Sequence, residues 1–129
     1  MSNLTKILII EDDSFLLQMY VAKLEMEGFS VISATDGEKG LRLVKKEKPD
    51  IVLLDLLLPK MDGFHVLEEL KKDPEVKDIP VLVLTNLGQK DDVERCFNLG
   101  AVDYLIKAHF VPGEVITRIK SILASAKPR

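Results

Sequence analysis

The sequence predicts an α/β protein in which a parallel, doubly wound sheet of five strands carries helices on both faces. Short apolar runs alternate five times with longer stretches of helical period, the pattern of repeated strand–helix units around a parallel sheet. Three of those runs, residues 7–10, 51–54 and 81–84, are apolar at every position, as strands covered on both sides should be.

The first strand, residues 7–10, ends abruptly at Glu11, Asp12 and Asp13. A helix is expected after Asp13 or Ser14, either of which can accept from the free N–H groups of a first turn. It should run through Leu16, Met19, Tyr20, Lys23 and Leu24 to Gly28, its apolar positions on one stripe. The second strand, residues 29–34, delivers no comparable polar group at its end and is expected at an edge. A second helix follows Asp36, with Gly40, Leu41 and Val44 inward, and stops before Pro49. The third strand, residues 51–54, ends at Asp55, and its helix runs from about Gly63 to Lys72 with Phe64, Leu67 and Leu70 at helical spacing.

The fourth strand, residues 81–84, leads to Thr85 and Asn86. Its helix, residues 91–99, should turn Val93, Cys96 and Phe97 inward before Gly100 stops it. The fifth strand, residues 104–106, precedes Lys107. The last helix starts at Pro112, whose missing N–H would be unpaired there in any case. Val115, Ile116, Ile119, Ile122 and Leu123 form its expected buried stripe, and Phe110 and Val115 have the spacing of a hydrophobic staple. Residues 125–129 are expected to fray.

At 129 residues, with 47% hydrophobic and 30% charged residues, the chain fits one well-cored domain and does not fit a disordered segment. Eighteen basic against 21 acidic residues give a net charge of −3, which argues against affinity for nucleic acid built on phosphate neutralisation. Cys96 is the only cysteine, so no intrachain disulfide forms. No apolar stretch approaches the roughly 20 residues of a membrane span and no signal-peptide core precedes the first strand, so a cytoplasmic protein is expected.

Asp55 interrupts an apolar run that continues through Leu58, an expensive place for a charge unless something uses it. If the first and third strands are neighbours, their acids converge. Like charges about 4 Å apart repel by roughly 4 kcal/mol at an effective dielectric near 20, which favours a divalent cation, a shared proton, or both. In an open doubly wound sheet ligands sit beyond the carboxyl ends of the strands, where Glu11, Asp12, Asp55, Thr85, Asn86 and Lys107 all lie. Asp12 and Asp55 suit a hard cation such as Mg²⁺; Lys107 and Thr85 suit an anionic phosphoryl group, which Asp55 is placed to attack. Asp13 is better explained as a helix cap, Asp62-Gly63 as a turn, and His65 and His109 as surface or boundary residues without zinc-ligand spacing.

On these residues the chain resembles the response regulator receiver domains of two-component signalling. The match rests on Glu11-Asp12, Asp55 followed by Pro59 and Asp62-Gly63, Thr85, Tyr104 and Lys107, in the family's order and over essentially the whole chain. The resemblance implies a three-layer, flavodoxin-like fold of strand order 2-1-3-4-5 with five helices, in a single domain 1–129 with an ordered core of about 5–124. It implies that Asp55 is the phosphoacceptor, taking phosphate from a phosphohistidine donor. Asp12, Asp55 and the backbone carbonyl of Leu57 would ligate Mg²⁺, with Mn²⁺ an alternative and Glu11 acting through water. Thr85 and Tyr104 would form a switch that reshapes the surface of the fourth helix, fifth strand and fifth helix. The implied partners are a sensor histidine kinase or phosphotransfer protein and a downstream protein target or effector domain, with no direct nucleic acid and no membrane. The implied assembly is a monomer or a phosphorylation-dependent dimer, acting as a switch and not as a turnover enzyme, alone or as part of a longer chain.

The chain departs from the family pattern in two places. Ala108 follows Lys107 where receivers usually carry a proline after a cis bond; before a non-proline residue a cis bond costs about 3 kcal/mol, so a trans bond is expected. Asn86 replaces the small residue usual after the threonine. Leu57 and Leu87 flank the expected site and cannot orient an attacking water, so slow loss of phosphate is expected. The rival readings are a phosphorylation-impaired receiver used as a protein-binding module and a haloacid-dehalogenase-like phosphatase. The phosphatase needs a second acid two residues after its nucleophile, where this chain has Leu57. A nucleotide-binding domain is weaker still, because Gly37 and Gly40 form no phosphate-binding fingerprint.

Overall fold

The computed structural model describes residues 4–126. Its elements alternate as β1 (Lys6–Ile10), α1 (Ser14–Met26), β2 (Ser30–Ala34), α2 (Gly37–Glu47), β3 (Ile51–Leu54), α3 (Gly63–Lys72), β4 (Val81–Thr85), α4 (Lys90–Leu99), β5 (Asp103–Ile106) and α5 (Pro112–Ser125). The strands form one parallel sheet of order β2-β1-β3-β4-β5. This is the expected fold, and β2 lies at the expected edge. Of the stretch expected to fray, Ser125 is the last residue of α5, and residues 127–129 lie outside the described residues.

Alternate residues of the central strands feed two separate cores. Leu8, Ile10, Val52, Leu54, Val81 and Val83 pack with Val44 of α2, Leu67 and Leu70 of α3, and Cys96 of α4. Ile7, Ile9, Ile51, Leu53, Leu82 and Leu84 point the other way, among Leu17, Tyr20 and Leu24 of α1 and Val115, Ile116 and Ile119 of α5. The period-two alternation of a strand thus supplies both faces from one apolar run.

Local chemistry sets the helix starts. Asp13, Asp36 and Asp62 each precede a helix and accept from the third backbone N–H beyond them, at 3.1, 2.8 and 3.1 Å. Val111 has no such side chain before α5; there the Val111 N–H donates to the Glu114 carboxylate at 2.9 Å, while Phe110 and Val115 share the α5-side core as the staple requires. Gly100, at φ 111°, ends α4 in the left-handed region.

Two helix faces differ from expectation. In α1 it is Leu17 that is buried, with Leu16 only partly so. In α4 Cys96 is buried and Leu99 packs against the same core, but Phe97 is 45% exposed, so the inward face is not the expected stripe of Val93, Cys96 and Phe97.

Candidate functional site

The strand order reverses between β1 and β3, so their carboxyl ends open side by side. The ladder continues one residue past each strand: the Glu11 N–H donates to the Ala34 carbonyl and the Asp55 N–H to the Ile10 carbonyl, both at 3.0 Å. Those bonds fix the two acids at adjacent strand tips. Glu11 and Asp55 are each 5% exposed, whereas Asp12 is exposed to solvent.

Lys107 follows β5 in a short 3₁₀ turn, Lys107–His109, and reaches across to both buried acids. Its Nζ lies 2.6 Å from Glu11 Oε1 and 2.8 Å from Asp55 Oδ2. An isolated buried charge costs several kcal/mol, so this ammonium makes the two carboxylates tolerable where they stand. Burial raises the Glu11 carboxyl above the ordinary glutamate value, against the lowering effect of Lys107 and of the Asp13 N–H that donates to its other oxygen. Burial pulls Lys107 down, yet its bonds to Asp55 and Glu11 outweigh that and hold it above the ordinary lysine value. No peptide bond among the described residues is cis, so the Lys107–Ala108 bond is trans, and the lysine is delivered to Asp55 regardless.

Carboxylate oxygens of Glu11, Asp12 and Asp55 lie within 4.8 Å of one another. An all-oxygen set with two buried acids and one at the water's edge fits a hard divalent cation that keeps several waters. The second oxygen of Asp55 accepts from the Leu57 N–H at 3.3 Å, which orients the carboxylate from the following loop.

Thr85, fully buried, ends β4, and Tyr104 lies on the neighbouring β5. Neither forms a hydrogen bond with Asp55. The Thr85 hydroxyl accepts from the Leu87 N–H at 3.4 Å, and the Tyr104 hydroxyl donates to the Leu87 carbonyl at 2.5 Å. Tyr104 packs against the core that contains Cys96, on the α4 side of the sheet, and burial pushes its phenol up to about 12.

The predicted residues Glu11, Asp12, Asp55 and Lys107 therefore meet at one place, with Thr85 and Tyr104 linked through the adjacent loop. Two residues named in the sequence, Gly63 and Tyr20, contribute in ways not anticipated. Gly63 starts α3 directly against the Asp55 main chain: a Cβ there would stand 2.3 Å from the Asp55 carbonyl oxygen and 2.5 Å from Leu56 Cα. The Gly63 N–H also donates to the Leu56 carbonyl at 2.9 Å. Tyr20, read from sequence as part of the α1 stripe, lines the inner side of the site with Glu11 and Asp55. The signal available for Tyr20 was its hydroxyl, which a purely apolar stripe does not need.

A family model described as Response regulator receiver domain matches residues 7–120. The DNA-binding dual master transcriptional regulator RpaA of Synechocystis is 45% identical over 118 residues, covering 92% of this chain and 48% of that protein. A CheY-like response regulator receiver domain protein from Methanospirillum hungatei superposes with a TM-score of 0.89 at 28% identity, covering 96% of this chain and 97% of that one. The Mn²⁺-bound form of response regulator Rcp1 superposes with a TM-score of 0.82 at 30% identity, covering 96% and 97%. The chain spans about half the length of the curated relatives it matches.

The expectation of no direct nucleic-acid contact is overturned by the DNA-binding relative. The charge balance used for it reports only on the surface of this stretch and carries no information about the other half of such a protein. Among the described residues no helix is long and apolar enough to cross a membrane.

Proposed function

The chain belongs to the response regulator receiver family, and from that premise we propose that it is a single receiver unit whose Asp55 accepts a phosphoryl group from a phosphohistidine donor. The observation that carries this reading is the Lys107 ammonium resting on Asp55 Oδ2 beside a cluster of three acids. One Asp55 oxygen forms the bond to phosphorus as the bond to the donor nitrogen breaks, and the freed imidazole keeps the electron pair. Lys107, already within hydrogen-bond distance, follows the incoming phosphoryl oxygens and neutralises them.

Asp12, Asp55 and the Leu57 carbonyl would hold Mg²⁺ or Mn²⁺, with Glu11 acting through water. The cation would add positive charge where the phosphoryl oxygens gather. Thr85 is placed to turn its hydroxyl from the Leu87 N–H toward the new phosphoryl group. That movement frees the Leu87 loop and, through Tyr104, the surface of α4, β5 and α5, a two-state element biased by a local charge. The output is a changed affinity of that surface for a protein partner or for a further segment of a longer transcriptional regulator. Leu57, 54% exposed, and Leu87 offer no group to orient a water on phosphorus, so the phosphorylated state is long-lived. The protein acts as a switch and turns over no substrate pool.

The test is incubation with acetyl phosphate with and without Mg²⁺, read by intact mass. The wild type should gain one phosphoryl group only with Mg²⁺, and Asp55→Asn should gain none. An unmodified wild type, or a modified Asp55→Asn, would overturn the reading.

A further inference from the structure

Tyr20 is 5% exposed and sits on α1 behind the acidic pocket. With Glu11 and Asp55 it lines a hollow of about 10 Å³, walled otherwise by apolar residues including Ile9, Leu53 and Leu84. That is close to the smallest volume that admits one water molecule, and three polar groups around it are the number such a water needs.

The Tyr20 hydroxyl makes no hydrogen bond to another described residue. Yet every fully buried side-chain nitrogen or oxygen among the described residues has a partner. The hydroxyl therefore keeps some accessible surface, and Tyr20 lines the hollow together with the two acids. A buried phenol without a partner costs free energy unless water or a ligand serves it. Burial raises its pKa, with Lys107 and Glu11 both near enough to act on it, so it stays a protonated donor.

We propose that Tyr20 is a positioning residue of the cation site: through one water in the hollow its hydroxyl hydrogen-bonds the inner sides of Glu11 and Asp55 and holds both carboxylates facing outward. The inference rests on the reading of the pocket as a divalent-cation site. Its force comes from what phosphoryl transfer does to Lys107. When the ammonium follows the phosphoryl group, Glu11 keeps the Asp13 N–H but loses its strongest partner, and a donor from behind keeps the carboxylate aimed. Groups behind a metal's ligands commonly change affinity by about tenfold or more.

The experiment is calorimetric titration of Mg²⁺ into the wild type, Tyr20→Phe and Leu24→Ala. Leu24 is buried in the same core without lining the hollow, so its truncation lowers stability while leaving the pocket alone. Tyr20→Phe should bind Mg²⁺ about tenfold more weakly, and Leu24→Ala should bind as the wild type does. The chain has two tyrosines and no tryptophan, so in Tyr104→Phe the intrinsic emission belongs to Tyr20 alone. That emission should change with Mg²⁺ and saturate with the calorimetric isotherm.

If Tyr20→Phe binds as tightly as the wild type, if Leu24→Ala loses as much affinity, or if the Tyr20 emission ignores a cation that calorimetry shows bound, the proposal fails and the pocket reading stands. A wild type that takes up no Mg²⁺ overturns both.

Discussion

Thr85 and Tyr104 hold opposite ends of one residue: the Leu87 N–H donates to the Thr85 hydroxyl, and the Leu87 carbonyl accepts from the Tyr104 hydroxyl. The loop after β4 is thus fixed by two neighbouring strands before any modification. Tyr104→Phe removes one of those ties while keeping the ring in its core. It should cost about 1 kcal/mol in denaturant unfolding and raise amide exchange in residues 86–89, with phosphorylation of Asp55 by acetyl phosphate retained. Unchanged exchange in that loop would show that Tyr104 does not restrain it.

The same side chain sets an alkaline limit. Burial raises Tyr104 from 10.0 to about 12, so the fold holds its proton where the unfolded chain has lost it. Its contribution is fully present below pH 10.0 and is lost as pH rises through about 12. Unfolding free energy should therefore fall across that window in the wild type and fall less in Tyr104→Phe, with tyrosinate absorbance reporting the titration.

Lys107→Met leaves Glu11 and Asp55 buried side by side with no neutralising group. The loss should be about 3 kcal/mol, the usual cost of removing one partner of a buried pair. Mg²⁺ should recover part of it, because a divalent cation answers the same two charges. Thermal unfolding with and without Mg²⁺ checks this: a variant as stable as the wild type, or one indifferent to Mg²⁺, contradicts it.

Gly63→Ala forces a methyl group against the Asp55 carbonyl and Leu56 Cα, both backbone atoms that cannot rotate away. It should destabilise the protein by about 1–3 kcal/mol and slow Asp55 phosphorylation, since the acid shifts with its main chain. Denaturant unfolding and the rate of phosphoryl uptake test the two effects separately.

Leu57→Asn places an amide beside Asp55 that could orient a water on phosphorus. The half-life of the phosphorylated protein should shorten on the order of tenfold, below the roughly hundredfold of a full general base. A wild-type half-life of seconds, or no change in the variant, would remove the apolar flanks as the cause of slow loss.

Much of this was legible in the sequence because it follows from local rules. Unbroken apolar runs marked β1, β3 and β4, and Asp13, Asp36 and Asp62 marked three helix starts. Asp55 stood out because an acid inside an apolar run needs a partner. What escaped depends on how distant segments meet. Helical spacing treats Phe97 and Cys96 alike, yet only the packing of α4 on the rest of the fold decides which one is buried. The place of Lys107 at the site was legible, but its direct pairing with Glu11 and the backbone approach of Gly63 to Asp55 depend on how the loops pack and could not be read from spacing. Tyr20 was taken for core because it is core; that it also lines the hollow beside Glu11 and Asp55 shows only in the fold.

Of the five helices, α4 has a single fully buried residue, Cys96, and an outer tie in which the Arg95 guanidinium lies 4.2 Å over the Phe64 ring. A segment whose one fully buried side chain is a small thiol, with Leu99 only partly buried beside it, is inexpensive to displace. On the opposite face Leu17, Tyr20 and Leu24 of α1 and Val115, Ile116 and Ile119 of α5 are buried, so α5 can present a changed outer surface beside β5 without leaving the sheet. The molecule is therefore built like a vice with one fixed and one sprung jaw. If Asp55 is phosphorylated as proposed, amino-acid changes on the sprung side would retune the output surface while leaving the acidic pocket untouched.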